Sequence, residues 1–454
     1  MRIATRVSAA LALVFALALS AVVAAQQAPA PQQSPAATPH VENARAFVDL
    51  LVKRDFASAV AGFNATMAKA LTEPKLREFW TTVVTQAGAF QTIDTARAEP
   101  RGAYTAVVMT SSFERAQTDI TVVYDTAGKI AGFNIRPAAP PPSPPPSYAD
   151  AAAFAERDVT VGSGEWALPG TLSVPKGTGP FPAVVLVHGS GPNDRDESIG
   201  PNKPFRDIAH GLASRGIAVL RYDKRTMVHG AKLAQIAKPT VAHEAVDDAV
   251  LAVEALAAMP EIARDRIFVL GHSLGGMLVP RIAAGAPQAR GFIVMAGPAR
   301  PLEQAMLEQT EYMAGLDGAI TPDEQARIDE MRKMADGVRA LTPESVDSAE
   351  ALAGVPPSYW LDLRGYDPPD AAKAVTRPML VLQGERDYQV TMAEFERWKA
   401  ALDDRDDVEL KSYRTLNHLF MPGTGPGNPQ EYATAAHVAE EVVRDIAAWI
   451  GKVK

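Results

Sequence analysis

The chain has 454 residues, with 45 Lys and Arg against 53 Asp and Glu, and it contains no cysteine. Its formal net charge of −8 argues against nucleic acid or an anionic membrane as a main partner. The missing cysteine excludes disulfides, zinc–thiolate sites and cysteine nucleophiles, and the length suggests two or three domains.

Residues 1–25 have the pattern of a secretory signal peptide. Arg2 and Arg6 give a basic start, an apolar run follows, and small residues end at Ala25. We therefore predict cleavage near Ala25 and export, to the periplasm or the medium. An uncleaved N-terminal anchor is the alternative. No later stretch reaches the ~18 apolar residues that a membrane span needs, so none is expected in the mature chain.

Proline-rich segments divide the remaining chain. A linker over 26–40 precedes a small module over 41–136, and a second linker over 137–147 precedes a large module over 148–454. Such segments disfavour helices and central strands and are typical of extended spacers.

The small module begins with apolar residues at helical spacing and then changes to alternation. Helical patterns run from Val41 to Leu51 and from Phe63 to Trp80, whereas 104–109 and 119–124 alternate before a turn at 125–129. This order predicts an α+β domain. Its sequence offers no Ser/His/Asp grouping, no metal spacing and no Gly-rich loop, so we predict no chemistry there.

The large module alternates strand and helix patterns along its length. This alternation predicts a doubly wound, mainly parallel sheet, that is, an α/β fold. The predicted strands cover 158–161, 170–174, 182–187, 217–222, 266–270, 291–295, 378–382 and 408–413, and the predicted helices cover 205–215, 241–259, 277–284 and 432–450.

One stretch, about 298–372, interrupts the alternation and is predicted to form a helical cap. Helical patterns cover 302–313, 322–334 and 346–353. An insertion at this point lies over the carboxyl ends of the strands, where open α/β sheets bind ligands. Near its end stand Tyr359, Trp360 and Tyr366, which either line an acyl pocket or pack the cap onto the core.

The stretch Gly271-His272-Ser273-Leu274-Gly275 lies between a predicted strand and a predicted helix. A G-x-S-x-G at a strand–turn–helix junction is typical of a nucleophile elbow. Glycines on both sides of the serine allow the strand and the helix to approach closely. We therefore predict that Ser273 is a nucleophile.

A serine nucleophile needs a base, and the base needs a carboxylate that fixes its tautomer. Downstream of Ser273 the histidines are His418, in a predicted loop, and His437, in the predicted closing helix. We favour His418 because loops at the sheet edge carry such residues. For the acid we favour Asp387 over Glu385, since it lies past Gly384 in the loop after a predicted strand.

Backbone N–H groups are the usual donors to a developing oxyanion. We predict one from Leu274, which follows the nucleophile. The other is expected from the loop after strand 182–187, with Ser190 preferred and Gly189 as the alternative. His188 is expected to support this loop. Neither a metal nor another cofactor is needed for this chemistry.

Together these motifs resemble the α/β-hydrolase superfamily over roughly 155–454. More narrowly, residues 189–196, 271–276 and 359–363 resemble a group of bacterial esterases with an extra N-terminal domain. The small module is similar to that domain, which has an NTF2-like fold. The resemblance implies hydrolysis of small carboxylic esters with short to medium acyl chains, through Ser273, Asp387 and His418.

Other activities remain open on the same fold. A serine peptidase and an acyltransferase would use the same acyl-enzyme. Peptidase relatives carry a large β-propeller ahead of the hydrolase domain, and the sequence before the large module has no blade repeat. Dienelactone hydrolases use a cysteine, and dehalogenases place an aspartate where Ser273 stands. A non-catalytic binding protein is disfavoured by the intact order of serine, acid and histidine. The small module is a candidate dimerisation element, so a homodimer stays open.

Overall fold

A computed structural model describes residues 37–101, 103–138 and 144–453. The chain divides into two compact units between residues 139 and 140. The predicted signal peptide over 1–25 lies outside the described residues, as do most of the first linker and residues 139–143 of the second.

Over residues 37–101 and 103–138, the small unit has four helices followed by an antiparallel sheet in the order β1-β2-β3-β4. Its apolar core lies between the helices and the sheet and includes Phe47, Trp80, Val107 and Ile120. The elements are α1 (Ala37–Val52), α2 (Phe56–Ala61), α3 (Ala65–Ala70), α4 (Glu73–Ala87), β1 (Phe90–Arg101), β2 (Tyr104–Phe113), β3 (Gln117–Tyr124) and β4 (Ile130–Pro137).

The large unit is built on an eight-stranded sheet. Its strands are β5 (Phe154–Val161), β6 (Leu168–Pro175), β7 (Phe181–Val187), β8 (Ala218–Tyr222), β9 (Ile262–His272), β10 (Ala289–Met295), β11 (Met379–Gly384) and β12 (Val408–Tyr413). Their order is β12-β11-β10-β9-β7-β8-β6-β5. The pairs from β12 to β8 are parallel, and β6 and β5 continue the sheet in antiparallel pairs.

Helices cover both faces of this sheet, because β7 to β11 are buried almost throughout and need apolar cover on each side. They are α5 (Pro204–Ala213), α6 (Arg225–Leu233), α7 (Asp247–Ala257), α8 (Leu274–Met277), α9 (Val279–Gly285), α10 (Leu302–Ala314), α11 (Pro322–Ala340), α12 (Pro357–Arg364), α13 (Pro368–Ala372), α14 (Met392–Leu402) and α15 (Glu440–Lys452).

The helices α10 to α13 lie between β10 and β11 in the chain and form the cap. The predicted helix over 346–353 is wrong, because turns and an isolated bridge between Leu352 and Val355 occupy this stretch. Ala353, the last residue of the predicted helix, takes a positive φ of 50°, which a right-handed helix does not accommodate. The Ser348 hydroxyl donates to the Ser345 carbonyl, in competition with backbone hydrogen bonds.

Two other predicted helices differ from the observed ones. The stretch predicted as one helix over 241–259 begins with a π-helical turn, Ala242–Val246, before α7. The closing helix begins at Glu440 rather than at 432, because a 3₁₀ turn and an extended segment come first. His437 therefore lies in a loop and not inside the helix. Within residues 37–101, 103–138 and 144–453, no helix combines the length and apolarity needed to cross a bilayer.

Candidate active site

Ser273 stands at a strained turn between β9 and α8. Its φ of 52° and ψ of −120° are unusual for a residue with a Cβ. The turn is possible because glycines lie two positions before and after the serine: a Cβ on Gly271 would lie 2.2 Å from the Gly275 carbonyl oxygen. A Cβ on Gly275 would lie 2.3 Å from the carbonyl oxygen of Val187. The elbow thus brings Ser273 close to the loop that follows β7.

The structure brings Asp387 and His418 together at the carboxyl edge of the sheet. His418 Nδ1 lies 2.6 Å from Asp387 Oδ2, and both residues are buried. The other oxygen, Oδ1, accepts the N–H groups of Gln389 and Val390 at 2.8 and 2.9 Å. These bonds hold the carboxylate in one orientation, so that it can keep the Nδ1 proton on the histidine.

The two alternative residues have other partners. Glu385 is exposed and accepts a hydrogen bond from the Ser412 hydroxyl at 2.8 Å. His437 lies 3.0 Å, through Nδ1, from the buried carboxylate of Asp207. The geometry therefore favours the pair Asp387 and His418.

Glycine and asparagine bring the loop of His418 to the acid loop. A Cβ on Gly384 would lie 2.5 Å from the Leu416 carbonyl oxygen, so only glycine permits this approach. Asn417 Oδ1 accepts the N–H groups of Leu419 and Met421 at 3.0 and 3.1 Å. Asn417 thus fixes the turn on which His418 is carried, a role that the sequence analysis did not assign to it.

The loop after β7 packs against Ser273. A Cβ on Gly189 would lie 3.0 Å from Ser273 Cβ. The Gly189 N–H already donates to Glu197 Oε1 at 2.6 Å and is therefore not available to an oxyanion. The N–H of Leu274 is the first of helix α8 and has no partner within that helix. The candidate donors are therefore the N–H groups of Leu274 and Ser190.

A buried ion pair connects the elbow, the loop after β7 and the histidine loop. His272 Nδ1 lies 2.8 Å from Glu197 Oε2, and its Nε2 lies 3.0 Å from the His418 carbonyl oxygen. Burial alone lowers the pKa of His272, but the Glu197 carboxylate outweighs it and raises that pKa above the usual 6.5. Glu197 has a positive φ of 51°, as expected where a contact outweighs backbone strain.

We expect Glu197→Gln to destabilise the fold by about 3–5 kcal/mol near pH 6, because it leaves His272 without its buried counter-charge. The folded-state pKa of His272 is raised, so the stabilisation is complete below 6.5 and is lost as the pH rises through that raised pKa. The deficit of Glu197→Gln should therefore shrink towards alkaline pH.

Urea unfolding of both proteins from about pH 5 to about pH 9 measures this difference. Glu409→Gln is the control, because Glu409 pairs with Lys452 on the surface and should cost little at any pH. A deficit of Glu197→Gln that stays constant across this range would contradict the assignment.

His188 supports the loop after β7. Its ring lies between those of Phe205 and Tyr222, at 5.1 and 5.3 Å, and its Nε2 lies 3.0 Å from the Asp194 carbonyl oxygen. Burial lowers the pKa of His188 to about 4, so the ring is neutral at neutral pH. In the described residues, no three His, Asp or Glu side chains gather as a possible metal site.

The aromatic residues expected near the pocket all have partners within the protein. Trp360 is buried in the core of the cap and donates to the Leu352 carbonyl at 3.1 Å. The Tyr366 hydroxyl donates to the Met277 carbonyl at 2.9 Å, and the Tyr359 side chain packs against the apolar core of the large unit. These contacts favour the packing alternative for all three residues.

Different cap residues contact the acid loop. The Tyr312 ring of α10 stacks on Tyr388 with 5.3 Å between centroids, and Gln309 Nε2 donates to the Gln389 carbonyl at 2.9 Å. Tyr388 directly follows the candidate acid. Sequence alone gave no signal for this contact, because Tyr312 and Tyr388 lie far apart in the chain.

Two family profiles match the chain. The profile of the alpha/beta hydrolase family matches residues 184–435, and one described as "Protein of unknown function (DUF3887)" matches residues 44–133. Esterase EstD of Thermotoga maritima is 39% identical over 411 residues, which are 90% of this chain and 95% of that protein.

Solved structures also share similarity with the chain, at low identity. An esterase of Pyrococcus furiosus is 16% identical with a TM-score of 0.41, covering 70% of this chain and 99% of that one. The acylaminoacyl peptidase of Pyrococcus horikoshii is 13% identical with a TM-score of 0.45, covering 80% and 56%. The hydrolase profile and the Thermotoga relative show that this chain belongs to the alpha/beta hydrolase family and is a hydrolase.

Proposed function

We propose that this protein is a serine carboxylesterase in which Ser273 is the nucleophile, His418 the general base and Asp387 the orienting acid. The observation that carries the proposal is the buried contact of 2.6 Å between His418 Nδ1 and Asp387 Oδ2, on loops at the edge where the Ser273 elbow lies. The esterase activity in the name of the Thermotoga maritima relative supports the same reaction.

In the proposed acylation step, His418 Nε2 takes the proton of the Ser273 hydroxyl while Oγ attacks the ester carbonyl. Asp387 stabilises the imidazolium that forms and is not itself protonated. The tetrahedral oxyanion accepts hydrogen bonds from the N–H groups of Leu274 and Ser190. His418 then gives its proton to the leaving alcohol, and the acyl group stays on Ser273.

Water then releases the acyl group in the reverse of the acylation step, with water in the place of the alcohol. His418 takes a proton from water, the hydroxide attacks the acyl carbonyl, and Ser273 leaves with the proton returned by His418. Capture of the acyl group by a second alcohol would give an acyltransferase.

A panel of p-nitrophenyl esters from acetate to palmitate, run beside chromogenic peptides, tests this proposal. We expect the highest kcat/KM for short to medium acyl chains, as the family resemblance implies. A fluorophosphonate should label Ser273 stoichiometrically and stop all turnover. Peptides that turn over faster than every ester would overturn the proposal in favour of a peptidase, and faster transfer to an added alcohol would favour an acyltransferase.

We also propose export, with cleavage near Ala25, on the strength of Arg2, Arg6 and the apolar run that follows. Intact-mass analysis of the protein from the periplasm or medium checks the cleavage site.

A homodimer is a further proposal, and light scattering of the full mature chain over a concentration series tests it.

A further inference from the structure

The carbonyl group of Gly189 is bound by a buried cation. Lys224 Nζ donates to it at 2.7 Å, and Asn193 Nδ2 is a second donor at 3.2 Å. Lys224 lies just after β8 and is only 2% exposed. Lysine is almost never fully buried unless another group binds it, and one of the groups that bind Lys224 is this peptide carbonyl.

The counter-charge of Lys224 is Glu244, from the π-helical turn Ala242–Val246. Glu244 is buried as well. A buried ion pair is weak evidence for a contribution to stability, because desolvation offsets much of the attraction. Single-turn π-helical segments occur often at functional sites.

The peptide group that Lys224 binds also carries the Ser190 N–H. In a trans peptide the C=O and N–H point in opposite directions, so a fixed Gly189 oxygen directs the Ser190 N–H away from Lys224. A positive charge at the oxygen polarises the group, and hydrogen bonds in such a chain strengthen one another. The Gly189 N–H is held on its other side by Glu197 at 2.6 Å.

We propose that Lys224 is a positioning residue of the oxyanion hole, which fixes the Gly189–Ser190 peptide and strengthens its N–H as a donor, while Glu244 holds the Lys224 side chain in place. Lys224 acts through the peptide and does not touch the substrate. This inference rests on the proposed function, because it assigns the Ser190 N–H to the oxyanion.

The neighbouring pair Arg225 and Asp248 provides a matched control. Arg225 is buried, follows Lys224 in the chain, and donates through Nε to Asp248 Oδ2 at 2.9 Å. Its guanidinium lies 5.1 Å from the Trp166 ring. Arg225→Met therefore removes a buried cation of similar size, and it leaves the contact between Lys224 and Gly189 in place.

The experiment measures kcat and KM on p-nitrophenyl butyrate, and Ki for a trifluoromethyl ketone that forms a tetrahedral oxyanion on the serine. For Lys224→Met we expect kcat to fall by about 10- to 100-fold, less than the 10²–10³ that loss of a donor costs. KM should change little, and Ki should rise by the same factor as kcat falls. Arg225→Met should keep the wild-type kcat and Ki.

Glu244→Gln separates the proposed role from a structural one. It removes the counter-charge but keeps an amide oxygen that can accept from Lys224, so the amine stays on the Gly189 carbonyl and we expect kcat to fall by less than about threefold. Equal losses in Lys224→Met and Glu244→Gln, or an unchanged Ki in Lys224→Met, would overturn the proposal. If Lys224→Met does not fold, the double variant with Glu244→Leu replaces the pair by apolar side chains and is expected to give the same kinetic losses.

The two proposals can fail separately. If Ser273→Ala remains active, the proposed function fails and this inference fails with it. If Ser273→Ala is inactive while Lys224→Met keeps the wild-type kcat and Ki, only the role of Lys224 is wrong.

Discussion

Ser273→Ala is expected to lower kcat for p-nitrophenyl butyrate by about 10⁶-fold, to the residual level that binding and the oxyanion donors supply without a nucleophile. The loss is large because the serine oxygen forms the covalent bond to the acyl group on which both half-reactions depend. Alanine fits the same turn, with its φ of 52°, so the fold should persist. Single-turnover assays, with circular dichroism and thermal unfolding alongside, measure both outcomes.

The control for this variant is Ser348→Ala. Ser348 lies on the surface of the cap and donates to the Ser345 carbonyl at 3.2 Å, so its kcat should equal that of the wild type. Ser273→Ala should also resist fluorophosphonate, whereas Ser348→Ala should be labelled. Turnover by purified Ser273→Ala at more than one hundredth of the wild-type rate would rule out the mechanism.

Asp387→Asn is expected to lower kcat by about 10⁴-fold with little change in KM. An amide in place of the carboxylate can present its NH₂ group to His418 Nδ1. The imidazole then takes the tautomer that carries its proton on Nε2 and cannot accept the serine proton. The backbone N–H groups of Gln389 and Val390 still have an oxygen to bind, so the loop should keep its shape.

Glu385→Gln is the matched comparison, since Glu385 lies two positions away and is exposed. Its kcat should stay within about twofold of the wild type, because it loses only a surface contact with Ser412. The reverse pattern, a large loss in Glu385→Gln and a small one in Asp387→Asn, would transfer the role of the acid to Glu385.

The buried strands of the large unit were predictable from local sequence. Residues 182–187 and 217–222 are nearly continuous apolar runs, as strands covered on both faces must be. Strand β1 went unrecognised because Phe90–Arg101 carries many polar and charged side chains. Helix α6 has a non-helical residue at His229 and was not predicted either. In both cases packing partners, rather than propensity, decide the structure.

The candidate triad was predictable in part because chain order and loop position narrow the choice to a few residues. The partners of the oxyanion loop were not predictable in this way. No sequence pattern distinguishes Lys224 or Glu197, and only the folded chain brings them to the two sides of Gly189. By sequence the Gly189 N–H is likewise a possible oxyanion donor, and only the structure shows that it donates to Glu197.

The cap interrupts the sheet between two strands that are hydrogen-bonded neighbours, since Phe292 pairs with Met379. During synthesis, strands β5 to β10 are therefore made before the cap, and β11 and β12 only after it. Closing a loop this long costs entropy before the pairing is gained, which slows late steps of folding. The Ser273 elbow and the candidate oxyanion loop can thus form early, whereas Asp387 and His418 arrive last. Under the proposed mechanism, a nascent chain would hold the serine without its base and gain reactivity only when the final strands dock.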